Sequence, residues 1–118
     1  MSVVVDPVVL NERVDAGSAE IVLTVPPDLD YLRGHFPGVP VVPGVVQIKW
    51  AVGFARSRLG VEGEFVGMEQ LKFQKVMTPG VTVTLALEYR AADGKLRFSF
   101  RAGDVRYSSG SLRLRTPL

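Results

Sequence analysis

Apolar and polar residues alternate along the C-terminal half of the chain, and this alternation predicts antiparallel strands. In "VTVTLALEYR" (81–90) every second side chain is large and apolar, and "KLRFSFRA" (95–102) repeats the pattern after the turn "AADG". A third run follows at about 105–114. Three runs joined by short connections predict a meander. The side chains expected to face the core are Val81, Val83, Leu85, Leu87, Tyr89, Leu96, Phe98 and Phe100.

Two earlier segments read as further strands, and one long helix is predicted between them. The strands are "AEIVLTV" (19–25) and "QLKFQKVM" (70–77), the second ending at the turn signal "TPG". The helix runs from about Pro43 to Leu59 and is expected to end at Gly60. Its apolar residues cover most of its circumference, and a helix of that kind is expected to be buried nearly all round.

These elements predict an α+β architecture in which one long buried helix is wrapped by a curved antiparallel sheet of about five or six strands. That is the arrangement of the hotdog fold. A length of 118 residues is enough for one core, so residues 1–118 are expected to form a single domain. Because the helix has more apolar circumference than one sheet can cover, we also expect an obligate dimer.

Composition excludes several kinds of site. The chain has no cysteine and one histidine, so disulfides and thiolate metal sites are excluded and neither a metal nor another cofactor is expected. No apolar stretch is long enough to span a bilayer, and the start "MSVVVDPVVL" lacks a basic region typical of secretory signals. A cytoplasmic protein that does not bind membranes is therefore expected.

Charge is distributed unevenly although the formal net charge is only +2. Residues 1–32 hold six acidic side chains and one basic one, whereas residues 33–118 hold thirteen basic and six acidic ones. Such an excess favours an acidic partner, and it is equally compatible with a solvated basic face.

The segment "GHFPGVPVVPGVVQIKWA" (34–51) carries the most specific motif of the chain. It resembles the signature of the hotdog-fold 3-hydroxyacyl-acyl-carrier-protein dehydratases, which runs His-Phe-Pro-Gly, any residue, Pro, two apolar residues, Pro-Gly, then a helix with an acidic residue. "LKFQKVMTPG" (71–80) is similar to a later strand of that family. The form "VVQIxWA" is nearest to the aryl-polyene-type (ApeI-like) subgroup.

The resemblance implies dehydration of 3-hydroxyacyl thioesters, carried on acyl carrier protein, to the 2-enoyl form in fatty-acid or polyene-type lipid or pigment biosynthesis. His35 would be the base that removes the C2 proton, since an imidazole titrates near neutral pH. The N–H of Gly44, at the helix N-terminus, would polarise the thioester carbonyl. The partner would be acyl carrier protein, and the assembly a homodimer or a hetero-oligomer with a related hotdog subunit. Substrate-binding residues would be Phe36, Pro37, Gly38, Pro43 and Val45.

Lys49 departs from the family pattern. It stands fourteen residues after the histidine, where the family has Glu or Asp, and no other acidic residue lies between Pro43 and Leu59. Three interpretations remain open. The ammonium acts as the proton donor; the site is degenerate; or the side chain extends to solvent or an interface and takes no part in the chemistry.

Other functions compete with the dehydratase. A degenerate site would make the chain a non-catalytic hotdog subunit or an acyl-binding protein. A hotdog thioesterase is a further alternative, but it usually needs a carboxylate on the same helix. A nucleic-acid binder would use Arg97, Arg101, Arg113 and Arg115, and we do not expect one because the neighbouring aromatic residues are predicted to face inward.

Overall fold

The computed structural model describes residues 6–27 and 41–115, which form one helix and six strands. The strands are β1 (Val8–Asp15), β2 (Ser18–Thr24), β3 (Glu64–Phe73), β4 (Thr82–Arg90), β5 (Lys95–Ala102) and β6 (Val105–Arg115), and the helix is α1 (Gly44–Leu59). All strands belong to one antiparallel sheet with the order β1-β2-β4-β5-β6-β3. This α+β arrangement, with one helix against a six-stranded sheet, is the one predicted.

The predicted meander is confirmed as β4-β5-β6. Leu85 pairs with Phe100 and Leu87 with Phe98, so the apolar positions of neighbouring strands fall on one face. That inner face, toward α1, holds most of the core, and the side chains of Leu85, Leu96 and Phe100 are fully buried. The opposite, outer face of the sheet carries the polar partners of each alternation.

Helix α1 begins and ends within one residue of the prediction. Gly60 adopts a left-handed conformation with φ 64°, which glycine tolerates without steric cost, and its N–H bonds to the Ala55 carbonyl. The buried residues of α1 are Val46, Gln47, Trp50, Ala51 and Ala55. The prediction of burial nearly all round is wrong for the single chain, because Val45 is 73% exposed and the positions of Lys49 and Gly53 are exposed.

The sequence did not predict β1 and placed β3 six residues too late. Strand β3 contains two bulges against β6, one between Phe65 and Gly67 and one between Glu69 and Lys72, where Gln70 has a φ of 53°. The apolar residues of β3 on the inner face are Phe65, Met68, Leu71 and Phe73. They are three, three and two positions apart, and the period of two is lost. Residues 74–77, predicted as strand, lie beyond its end.

Over residues 6–27 and 41–115, the structure contains no helix with the length and apolar character that a membrane span requires. Helix α1 has 16 residues, and two arginines lie in its last turn. Its basic C-terminal turn is held in part by Arg58, which bonds the carboxylate of Glu12 on β1 at 2.9 Å. The contact fixes the end of α1 that lies away from the Pro-Gly motif.

Candidate active site

The predicted site residues divide into two groups. His35, Phe36, Pro37 and Gly38 lie outside the described residues. The other four, Pro43, Gly44, Val45 and Lys49, lie at the start and in the second turn of α1. The geometry available for the site is therefore that of the helix N-terminus and its surroundings.

Pro43 is the N-cap of α1, with φ −59° and ψ 149°, and no side chain caps the helix. Its carbonyl accepts hydrogen bonds from the N–H groups of Val46 (3.0 Å) and Gln47 (3.2 Å). Among the described residues, nothing accepts a hydrogen bond from the Gly44 N–H, and no acidic residue lies in the first turn. The positive end of the helix dipole lies at the Gly44 amide, where it would stabilise a polarised oxygen.

The aromatic ring of Phe73, from β3, packs directly against the backbone of Gly44. A Cβ atom built on Gly44 would lie 2.6 Å from Phe73 Cζ and 2.8 Å from Cε1, which no real side chain could accept without movement. One reason for a glycine here is that the lack of a side chain lets a substrate approach the helix start closely. The structure adds a second reason, since the ring of Phe73 fills the space that a side chain would take.

An apolar and partly exposed surface surrounds the helix N-terminus. Val45 is 73% exposed, Phe73 49% and Val76 57%. The segment that contains Val76 is attached beside the helix start, because the N–H of Val42 bonds to the carbonyl of Met77 at 2.8 Å. Such a surface suits the acyl part of a thioester, a second subunit, or both.

Lys49 lies on the exposed side of α1, one turn beyond Val45 and one turn before Gly53. It lies five positions after Gly44, which corresponds to about 7.5 Å along the helix axis. The ammonium group therefore does not bear the cost of burial within the single chain. Its role as proton donor stays a prediction.

A buried polar pair connects α1 to the sheet, and sequence analysis missed it. Gln47 is 3% exposed and Ser108, on β6, is 0% exposed. The Ser108 hydroxyl donates to Gln47 Oε1 at 2.6 Å, while Gln47 Nε2 donates to the Val42 carbonyl at 3.1 Å. The available signal was helical spacing, because Gln47 precedes the apolar Trp50 and Ala51 by three and four residues.

A polar groove of about 890 Å³ lies on the outer face of the sheet, away from α1. Serine and alanine side chains form its floor, and both basic and acidic side chains line its walls. The charged residues are Arg13, Lys72, Arg97, Arg106, Asp15, Glu20 and Glu88. None of the described site residues lines this groove, and its polar walls do not suit an acyl chain, so we do not assign the chemistry to it.

The basic residues of the outer face do not form an aromatic-rich nucleic-acid surface. Phe98 and Phe100 are 3% and 0% exposed, as the alternation predicted. Arg113 bonds Glu69 at 3.0 Å and Arg115 bonds Glu64 at 3.2 Å, so two of the four candidate arginines are partly neutralised. This surface offers phosphate contacts without stacking, which favours the other functions.

Comparisons with known proteins identify the class. The model of the ApeI-like family, described as ApeI dehydratase, matches residues 11–111. In the structure described as the dehydratase heterocomplex ApeI:P from Xenorhabdus doucetiae, a chain with 32% sequence identity superposes with a TM-score of 0.86, covering 94% of this chain and 99% of that one. The fold is therefore the predicted hotdog fold. The chain belongs to the ApeI-like dehydratase family.

Curated relatives extend the comparison. The 3-hydroxyacyl-[acyl-carrier-protein] dehydratase FabZ of Erythrobacter litoralis is 37% identical over 90 residues, which cover 68% of this chain and 56% of that protein. The corresponding FabZ of Novosphingobium aromaticivorans is 35% identical over 103 residues, which cover 79% of this chain and 62% of that protein. The chain thus spans about three fifths of the length of these relatives. The predicted resemblance to the dehydratase family is confirmed.

Proposed function

We propose that this protein dehydrates 3-hydroxyacyl thioesters carried on acyl carrier protein to the 2-enoyl form. The observation that carries the proposal is the position of the Gly44 N–H, which belongs to the first residue of α1 and to the glycine of the family's Pro-Gly motif. A thioester carbonyl placed there would gain a hydrogen bond as enolate character develops on its oxygen. Membership of the family and the similarity to FabZ relatives support the same reaction.

The proposed chemistry needs a base and an acid. His35 takes the C2 proton, the electron pair forms the C2–C3 double bond, and the C3 hydroxyl leaves as water after receiving a proton. Gly44 stabilises the negative charge on the carbonyl oxygen, and Lys49 supplies the proton to the leaving hydroxyl. His35 and Lys49 return to their starting protonation states by exchange with solvent.

The direct test is mass-spectrometric detection of water loss from 3-hydroxyacyl-acyl carrier protein of several chain lengths. The wild type should convert at least one length, and His35→Ala should reduce the rate to background with an unchanged circular dichroism spectrum. A near-normal rate in His35→Ala would remove the histidine from the mechanism. Absence of water loss from every wild-type incubation would contradict the proposed activity of the chain by itself.

A second function is favoured by Lys49 together with the heterocomplex found among similar structures. In that alternative this chain is a non-catalytic subunit that binds an active hotdog relative, and its own site lacks the proton donor. The chain alone would then show no turnover, and Lys49→Glu would create it. Mixing the wild-type chain with a purified FabZ-type subunit would give more turnover than the FabZ-type subunit alone. A thioesterase is less well supported, because α1 contains no carboxylate to activate a water.

We infer that the functional unit is at least a dimer. Strand β3 ends the sheet, and its exposed apolar residues Phe65, Val66, Met68 and Phe73 continue toward Val45. A second hotdog subunit would cover this edge and complete the surface around Gly44. Light scattering should show a dimer at micromolar concentration, and Met68→Glu should weaken it. A folded monomer in the wild type would contradict the inference.

The proposed carrier protein is acidic, so basic side chains near the site are the candidates for its docking. Lys75 lies over the Tyr107 ring at 5.6 Å, in the segment that reaches Val42 through Met77. Arg56 bonds the Gly63 carbonyl and Arg58 bonds Glu12, and both lie at the far end of α1. Lys75 is therefore the first residue to test.

A role in fatty-acid or polyene-type pigment synthesis and a cytoplasmic location stay predictions.

A further inference from the structure

Gln47 differs from the other polar residues of α1 because it lies in the core and makes two hydrogen bonds that leave the helix. Its side-chain oxygen accepts from Ser108 on β6, and its side-chain nitrogen donates to the carbonyl of Val42. Both side chains of the pair are at least 95% buried. A buried amide whose oxygen and nitrogen both have partners has one favourable orientation. The pair therefore fixes the groups that it bonds and does more than fill space.

Val42 connects the Gln47 side chain to the start of α1. It immediately precedes Pro43, the N-cap of α1, and its N–H bonds to the Met77 carbonyl at 2.8 Å. Its two backbone polar groups therefore connect in opposite directions: the carbonyl to Gln47 and the N–H to Met77. The peptide units that follow Val42 lead directly to the Gly44 N–H.

We propose that Gln47 is a positioning residue that fixes the direction of the Gly44 N–H through Val42 and Pro43. The inference rests on the proposed dehydratase function, in which that N–H polarises the thioester carbonyl. The Gln47 amide makes no contact with the reacting atoms in this scheme. It acts by holding the carbonyl of Val42, and Ser108 acts by holding the amide of Gln47.

The rigidity matters because a hydrogen bond to a developing oxyanion depends steeply on geometry. Displacement of a positioning group by about 1 Å can reduce a rate by about 10²-fold. The Gly44 N–H shares a planar peptide unit with the Pro43 carbonyl, which the helix holds through the N–H groups of Val46 and Gln47. The Gln47–Val42 bond adds a restraint from the core on the preceding peptide unit, so that both sides of Pro43 are held.

Single substitutions in this pair would confuse positioning with stability, so the decisive variant changes both residues. Gln47→Met leaves the Ser108 hydroxyl without its acceptor, and Ser108→Ala leaves Gln47 Oε1 without its donor. The double variant Gln47→Met with Ser108→Ala removes both members of the pair together, so the Val42 carbonyl is the one group of this network left without its partner. A matched control is Ser111→Ala, since Ser111 is also buried on β6 but carries no bond to α1.

The first measurement is independent of activity. Amide hydrogen exchange, followed by NMR, should become at least about 10-fold faster at Val42 in the double variant, because its carbonyl anchor is lost. Exchange in β4 and β5 should stay unchanged, and so should exchange at Val42 in Ser111→Ala. Unchanged exchange at Val42 in the double variant would overturn the proposal whether or not the wild type is active.

The second measurement separates positioning from binding. With 3-hydroxyacyl-acyl carrier protein as substrate, kcat of the double variant should fall by about 10-fold or more while KM changes by less than about 3-fold. Gln47→Met alone also removes the donor to Val42, so it should show the same pattern. Normal kcat in both variants would overturn the proposal. If the wild type itself is inactive, the dehydratase function fails and the exchange measurement alone decides the role of Gln47.

Discussion

The two sides of helix α1 differ in how completely the rest of the chain covers them. Toward the sheet, Val46 is 5% exposed and the polar Gln47 has partners for its amide. On the opposite side, the neighbouring Val45 is 73% exposed and is followed one and two turns later by Lys49 and Gly53. The inner side is a completed core, whereas the outer side combines an apolar residue, a cation and a glycine that a single chain leaves uncovered.

The comparison shows that each side contains one residue of the wrong polarity for its surroundings. A buried glutamine and an exposed valine both depart from the expected pattern. The first is explained by hydrogen bonds inside the chain. The second calls for contacts outside it, with substrate or with another subunit.

The largest expected effect concerns Lys49 on the outer side. Lys49→Met keeps length and removes the proposed donor, so turnover should fall by about 10²-fold while the melting temperature stays nearly constant. Steady-state kinetics with 3-hydroxyacyl-acyl carrier protein and a thermal melt test this. Lys49→Glu should keep or raise activity. Wild-type rates in Lys49→Met would make the lysine a bystander, and activity gained only in Lys49→Glu would show a degenerate site.

The adjacent valines give the sharpest contrast in folding. Val46→Ala removes buried methyl groups and should lower the free energy of unfolding by about 2 kcal/mol. Val45 is 73% exposed within one chain, so Val45→Ala should lower it by less than about 0.5 kcal/mol through contacts inside the subunit. Urea denaturation of both variants measures the difference. Equal losses would mean that the two sides are covered to the same degree.

Gly44 lies where the two sides meet, and its substitution tests why a glycine is needed. Gly44→Ala should displace the Phe73 ring and cost about 1 kcal/mol of stability. In a Phe73→Ala background the ring is gone, so Gly44→Ala should cost less stability there than it does in the wild type. If turnover recovers together with stability, the ring is the reason for the glycine; if only stability recovers, close approach of substrate also requires it.

The smallest expected effect is at Gly53. A Cβ atom there would meet nothing within 4 Å in the chain, so Gly53→Ala should stabilise helix α1 of each subunit by about 0.5 kcal/mol through helix propensity. Sedimentation measurements should show weaker self-association if a second subunit packs against this side. Unchanged association would place the subunit contact elsewhere, at the β3 edge alone.

The sequence predicted the regular parts of the fold because their signals are local. Helix α1 was bounded by Pro43 and Gly60, and strands β4 and β5 of the meander showed a clear period of two. Strand β1 was missed because all but one of its residues are exposed, so burial imposes no alternation on it. Strand β3 was misplaced because its bulges change the spacing of its apolar residues.

The candidate site shows the same division between local and distant information. The motif that opens α1 identified the family and Gly44, since its residues are contiguous. The packing of Phe73 against Gly44 joins positions 29 residues apart, and the bond from Ser108 to Gln47 joins positions 61 residues apart. No local pattern contains either contact, and both were visible only after the sheet had brought the strands to the helix.

The bulge at Gln70 has a consequence for how β3 tolerates changes in length. Because Gln70 and Leu71 together oppose a single partner, Lys72 lies beside Ser109 on the outer face and Phe73 beside Ser108 on the inner face. Deleting Gln70 would restore a regular ladder in which Lys72 stays beside Ser109 and Phe73 beside Ser108, so the ammonium and the ring would keep their faces. The bulge thus holds one surplus residue that β3 can lose, whereas a deletion inside the bulge-free strand β4 would turn every following side chain to the other face.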